Sequence, residues 1–212
     1  PIHFIKKNNQ WVIDSLYFNV PIVGRNYSFV DNEGTLAFAD HGREYGLRST
    51  WPYGHLWYLK NNNGKINWNQ VSKIRSFYHS VATGDLNNDG LIDVIGLHMQ
   101  SFNNWNGYAN LHPFKQNSDG SFSEWYDILT DAQVPDKYKS SAGAVFVKDL
   151  YGDKSPEIVR VSYGQGSDLE RYSLMFFEFD PNNKKYKYGK TADLGVFGKD
   201  PSVGGTSIQS LD

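Results

Sequence analysis

No cysteine occurs among the 212 residues. Disulfide frameworks, cysteine-ligated zinc and thiol nucleophiles are thereby excluded. The compartment stays open, because a cysteine-free chain meets no redox obstacle outside the cell. An excess of one charge is also lacking: 21 Lys and Arg stand against 23 Asp and Glu, a formal net charge of −2. Nucleic-acid and membrane-surface proteins usually carry a basic face, so neither partner is expected. No apolar run approaches the roughly 18 residues of a membrane-spanning helix, and no span is expected. The chain opens on Pro1-Ile2-His3-Phe4 without a secretory leader, and reads as a mature product, a fragment or a cytosolic protein. Helical periodicity is nearly missing, and the best stretch is the short Tyr126–Ala132. There is no HExxH, no Gly-x-Ser-x-Gly elbow and no Walker-type phosphate loop. Gly164-Gln-Gly-Ser reads as a turn between strands.

What is present is aromatic: 14 Tyr, 13 Phe and 6 Trp, with abundant Gly and Asn. Aromatic, β-branched and turn residues together favour strands joined by tight turns. The strands repeat. Thr35–Gly42, Asp93–Met99 and Glu157–Tyr163 align as buried strands that follow a turn. A polar loop and a second apolar strand come next: His55–Leu59, Asn110–Phe114 and Ser173–Phe177. Asn-rich turns then lead to a last strand around Ile66–Val71, Phe122–Ile128 and Tyr186–Asp193. Ile2–Trp11 resembles Leu56–Gly64, and Gly205–Asp212 resembles Ala142–Asp149. The first loop aspartates Asp85, Asp149 and Asp212 lie 64 and 63 residues apart.

A unit of about four hairpin-linked strands, repeated in tandem, is the sequence form of a propeller blade. The expected fold is therefore all-β, a β-propeller or part of one, with a sandwich or solenoid as the competing arrangement. The expected layout is a partial blade at 1–25, repeats at about 26–78, 79–139 and 140–201, and the start of another at 202–212. Three units plus two ends fit a larger propeller completed by a missing segment or by other chains. Pairing of the two ends into a fourth blade is the alternative.

Asp85-Leu-Asn-Asn-Asp-Gly-Leu-Ile-Asp93 is the strongest local signal. Oxygen donors fall at loop positions 1, 3, 5 and 9, as Asp85, Asn87, Asp89 and Asp93, and Leu91 at position 7 can offer its carbonyl. Calcium wants six to eight oxygens, and alternate residues of a curled loop deliver them to one centre. Three close carboxylates repel without a cation. An EF-hand is excluded, since position 12 is Gly96 rather than Glu and the flank Val94-Ile-Gly-Leu97 reads as strand. A second loop keeps Asp149, Asp153 and Glu157 at positions 1, 5 and 9, with the Ser155 carbonyl at 7. It departs at position 3, Tyr151, and at position 6, where Lys154 replaces Gly. In the first unit Asp31 and Glu33 make a poor cage, and a metal-free turn is expected there.

Asp85–Ile95 and Asp149–Val159 resemble FG-GAP/VCBS-type repeats of integrin-α-like propellers and bacterial surface proteins. The resemblance implies seven blades, calcium in inter-strand loops, and binding or adhesion roles, with lectins and polysaccharide-degrading enzymes among such propellers.

Loops after the first aligned strand of each unit carry Trp51, Tyr53, Trp105 and Tyr108 among Arg and amide side chains. Such groups can stack on sugars or form a protein-binding hot spot; blade packing is the alternative use. His41 and His98 follow equivalent strands and are candidates for ligand contact or for a general base, with ordinary loop histidines as the competing reading. No close His spacing supports zinc. Asn26-Tyr-Ser28 is a glycosylation sequon in a secretory setting. The resulting expectation is a calcium-stabilised extracellular or cell-surface propeller that binds a glycan or protein without catalysis. The alternatives are a propeller-type polysaccharide lyase or hydrolase, and a structural subunit of a surface assembly.

Overall fold

The computed structural model describes residues 2–16, 24–31, 34–42, 54–62, 65–98, 110–129, 132, 142–165 and 170–196. Trp51, Tyr53, Trp105, Tyr108 and the C-terminal segment from Gly205 lie outside the described residues.

The protein is all-β. β1 (Ile2–Lys7) and β2 (Gln10–Leu16) form a hairpin whose two-residue turn holds Asn8 and Asn9 at φ 51° and 62°. Paired left-handed residues match the right-handed twist of the flanking strands, and Asn tolerates that conformation well. Three four-stranded sheets follow. The first contains β3 (Gly24–Phe29), β4 (Leu36–Asp40), β5 (Leu56–Asn62) and β6 (Lys65–Gln70). The second contains β7 (Tyr78–Gly84), β8 (Asp93–His98), β9 (Leu111–Gln116) and β10 (Phe122–Glu124). The third contains β11 (Ala142–Lys148), β12 (Glu157–Gln165), β13 (Glu170–Asp180) and β14 (Lys185–Val196). Each is an antiparallel meander in which strands neighbour one another in chain order.

One element differs from the expected layout. The strand anticipated over Phe122–Ile128 stops at Glu124. Alternation fails there, because the neighbours Ile128 and Leu129 must both enter the core. A single 3₁₀ turn, Tyr126–Leu129, buries the two together. Of the helical candidate Tyr126–Ala132, Tyr126–Leu129 forms that turn, and residues 130–131 lie outside the described residues.

The sheets stack through their first strands, β3 on β7 and β7 on β11. Period-2 alternation makes this possible. Val81 faces the first sheet and packs with Ala39, Leu56 and Val94. The next residue, Ala82, joins Ile95, Val145 and Ile158 on the other side. β8 is consequently buried along all six residues. Hydrogen bonds stitch the junctions. Ser28 Oγ lies 2.8 Å from Thr83 Oγ1, and Asn26 Oδ1 accepts from the Val81 N–H at 3.3 Å. The Val145 N–H donates to Ser80 Oγ at 3.2 Å. The sequon residue Asn26 is thus engaged in sheet packing.

Glycine sets how closely the sheets approach. A Cβ on Gly84 would sit 2.5 Å from Val147 Cγ1, and one on Gly96 would sit 2.5 Å from Leu56 Cδ1. A strand glycine marks such close approach.

Candidate metal centre

The loops joining β7 to β8 and β11 to β12 occupy one edge of the second and third sheets, and they share a hydrogen-bond scaffold. In the first, Asp85 Oδ1 accepts from Asp89 N at 3.0 Å and Oδ2 from Gly90 N at 2.7 Å. In the second, Asp149 Oδ1 accepts from Asp153 N at 3.2 Å and Oδ2 from Lys154 N at 2.9 Å. Asp89 Oδ1 accepts from Leu91 N at 3.0 Å, as Asp153 Oδ1 does from Ser155 N at 2.8 Å. The closing acids match as well: Asp93 Oδ2 accepts from Leu86 N at 3.1 Å and Glu157 Oε2 from Leu150 N at 2.7 Å.

Backbone conformation explains how the second loop tolerates its substitutions. Positions 4 and 6 are left-handed in both loops. They hold Asn88 and Gly90, with φ 58° and 83°, and Gly152 and Lys154, with φ 73° each. Glycine has moved from position 6 to position 4, and Lys154 bears the strained conformation that Gly90 adopts freely. Position 3 does differ in role. Asn87 Nδ2 donates to Asp89 Oδ2 at 3.0 Å, whereas Tyr151 turns outward and donates to Glu178 Oε1 at 3.4 Å. In the first unit, Asp31 Oδ1 accepts from Thr35 N at 2.9 Å in a shorter turn, and Glu33 lies outside the described residues.

The electrostatics of the first loop are unfavourable to three bare carboxylates. Asp93 is fully buried, and its carboxyl is pushed up to about 6. Burial is the main cause; the Asp89 and Asp85 charges add to it, against backbone donors from Gln116 and Leu86. The Lys115 ammonium lies 2.9 Å from Asp89 Oδ2 and holds that carboxyl below its ordinary range. A cation already sits against the loop oxygens as a side chain. In the second loop burial also raises Glu157, with the Asp153 and Asp149 charges contributing. For Asp149, desolvation is the largest single contribution. Four backbone N–H donors together outweigh it and hold the carboxyl below its usual value.

Among the described residues, no group of three or more His, Asp or Glu side chains is gathered closely enough to hold a metal ion. Carboxylate oxygens of both loops bind backbone N–H groups instead. The donor chemistry suits a hard cation: Asp85, Asn87, Asp89 and Asp93 side-chain oxygens with the Leu91 carbonyl, and Asp149, Asp153 and Glu157 with the Ser155 carbonyl.

Three supporting residues gave no local signal. Gln116 N donates to Asp93 Oδ1 at 2.9 Å, and its Oε1 accepts from Ile92 N at 3.3 Å. Lys115 reaches Asp89 from the same strand end. Tyr186, fully buried on β14, shares its single hydroxyl proton between Pro156 O at 2.7 Å and the more distant Leu86 O at 3.3 Å, linking the two loops. Its partners are 30 and 100 residues away in sequence.

The histidines lie elsewhere. His41 is buried and stacks on Phe77 at 5.2 Å. His98 is fully buried at the end of β8, where its backbone N–H donates to Asn110 O at 3.1 Å. His112 Nδ1 lies 2.8 Å from the Tyr78 hydroxyl, and its Nε2 lies 3.3 Å from Glu124 Oε1. No protein-family model matches the chain, and no curated protein matches it.

Proposed function

We propose that the chain is part of a calcium-stabilised β-propeller of the FG-GAP/VCBS kind that binds a glycan or protein partner at a cell surface, without catalysis. The observation that carries this reading is the shared scaffold of the Asp85–Asp93 and Asp149–Glu157 loops. Successive sheets repeat the same four carboxylate-to-backbone hydrogen bonds and the same two left-handed positions. Acids at positions 1, 5 and 9 recur in both loops while positions 3, 4 and 6 change. Three meanders stacked through their first strands fit blades arranged around an axis. Calcium would neutralise the carboxylates that now lean on backbone donors and Lys115. The aromatic loops around Trp51, Tyr53, Trp105 and Tyr108 supply the partner-binding chemistry.

Thermal melting with calcium and with chelator, beside calorimetric calcium titration, tests the reading. Calcium at about 100 times its Kd stabilises by about 2.7 kcal/mol. That corresponds to a rise in Tm of roughly 5–10 °C for a chain of this size. No binding heat together with superimposable melts would remove calcium from the proposal. A glycan array addresses the partner separately.

A further inference from the structure

The two acidic loops differ in what reaches them from the third strand of their own sheet. Phe114 lies opposite Val94, and Phe177 lies opposite Ile158. Val94 and Ile158 directly follow the closing acids Asp93 and Glu157. The residues after the two phenylalanines, Lys115 and Glu178, therefore hold one register position beside the loop. The sign of the charge there is reversed. Lys115 Nζ lies 2.9 Å from Asp89 Oδ2, at loop position 5. Glu178 Oε1 instead accepts the hydroxyl of Tyr151, at loop position 3, with 3.4 Å between them.

Contact decides which charges matter most. Coulomb energy falls with distance and with exposure to water. The Lys115 and Asp89 side chains touch and are only 36 % and 29 % exposed. Among the described residues, Asp149, Asp153 and Glu157 form no ion pair, and their carboxylates accept from backbone N–H groups. Lys154, within the second loop, is exposed and forms no ion pair among the described residues. Lys190 lies over the Tyr151 and Phe176 rings, at 5.8 and 5.3 Å. The first loop thus holds a resident cation in contact with an acid, and the second does not. A displaced Lys115 has a place to rest, since its ammonium already lies 5.3 Å from the centre of the Trp125 ring.

We propose that Lys115 is a tethered cation that competes with metal for the first loop, so that calcium fills the Asp149–Glu157 loop first. The inference rests on the calcium reading of the two loops. Ligand number favours the first loop, because Asn87 has no counterpart at Tyr151. One neutral ligand is a small advantage, comparable to the about fivefold that one net hydrogen bond supplies. Charge acts the other way and more strongly. A unit positive charge about 4 Å from a divalent ion lowers its affinity about 30-fold even at the dielectric of water.

Titration with calcium chloride, followed by amide NMR, reads the loops separately. Gly90 and Leu91 report the first, and Lys154 and Ser155 the second. In the wild type the second pair is expected to reach its midpoint at the lower calcium concentration. Lys115→Met keeps the unbranched stem and removes the charge; it is expected to lower the midpoint of the first loop by about tenfold or more. Lys115→Arg keeps the charge and is expected to keep the wild-type midpoint. A purely structural role for Lys115 predicts the opposite, weaker binding in Lys115→Met. Spectral dispersion confirms folding in the same samples. A first loop that saturates first in the wild type, or a midpoint that Lys115→Met leaves in place, overturns the competition while calcium binding stands. Calcium binding at the first loop of Lys115→Met but not of the wild type supports it in its strongest form. If no amide of either loop responds in the wild type or in Lys115→Met, the calcium reading falls and the competition with it.

Discussion

Exchanging glycine and lysine at the sixth position of the two loops is expected to change stability in opposite directions. Gly90 has φ 83°, and a Cβ built on it finds nothing within 4 Å. Gly90→Ala therefore introduces no clash and isolates backbone strain. The left-handed conformation costs a non-glycine residue about 1–2 kcal/mol. The lower unfolded-state entropy of Ala returns about 0.4–1 kcal/mol. The expected net loss is about 1 kcal/mol. At position 6 of the second loop the balance reverses. Lys154 already carries this strain at φ 73°, so Lys154→Gly is expected to gain about 0.5–1 kcal/mol after the entropy term. Urea denaturation at pH 7 in the presence of chelator reads both changes without metal linkage. Thermal shifts of roughly 2–4 °C per kcal/mol provide a second measure. If Lys154→Gly destabilises, the lysine makes a contact worth more than its strain, and the argument from conformation fails. If Gly90→Ala is neutral, the first loop does not hold its left-handed turn in solution.

Three other outcomes follow from the packing. Tyr186→Phe removes the one hydroxyl proton shared by the Leu86 and Pro156 carbonyls; it is expected to cost about 1–3 kcal/mol in urea unfolding and, on the proposed calcium reading, to lower calcium affinity at both loops together. An effect confined to one loop would show that the tyrosine does not couple them. Gly96→Ala forces a methyl to within 2.5 Å of Leu56 Cδ1 and 2.9 Å of the Tyr78 ring. Overpacking at this junction is expected to cost about 1–3 kcal/mol, and a neutral result would mean that the two sheets separate easily. The His112 imidazole is pushed down to about 3, by burial first and by His98 next. A depressed imidazole means that the unfolded chain protonates first as pH falls. Stability from this residue is therefore complete above the ordinary value of 6.5 and is lost between about 6.5 and 3. The wild type is expected to lose more stability than His112→Phe between pH 7 and pH 5; equal losses would count against the buried neutral ring. Comparing the two cancels the contribution of Asp93, whose raised carboxyl titrates with the opposite sign.

The repeat was readable because a strand buried on both faces must be nearly continuous in apolar residues, as in Asp93-Val-Ile-Gly-Leu-His98, and because tight turns draw on few residue types. The loop acids were readable for the same local reason: a carboxylate that accepts from N–H groups four and five residues ahead must occupy a fixed position in a short loop. The end of β10 was not readable. Trp125 to Leu129 is apolar enough for a strand, and only the core between the second and third sheets decides that Ile128 and Leu129 enter it together.

By itself, the sequence determined the periodicity of the strands, the places of the turns and the spacing of the loop acids, all of which depend on contacts within a few residues. Tertiary structure alone decided which sides of the sheets meet, that Tyr186 joins two loops from far along the chain, and that Lys115 and Gln116 complete the first of them. Those choices depend on contacts spanning 23 to 100 residues, where neither spacing nor propensity carries information. The same limit applies to Tyr27 and Phe29. Local alternation marks them as residues of a packed strand, and only the tertiary structure shows that they stand exposed where Val81 and Val145 are buried.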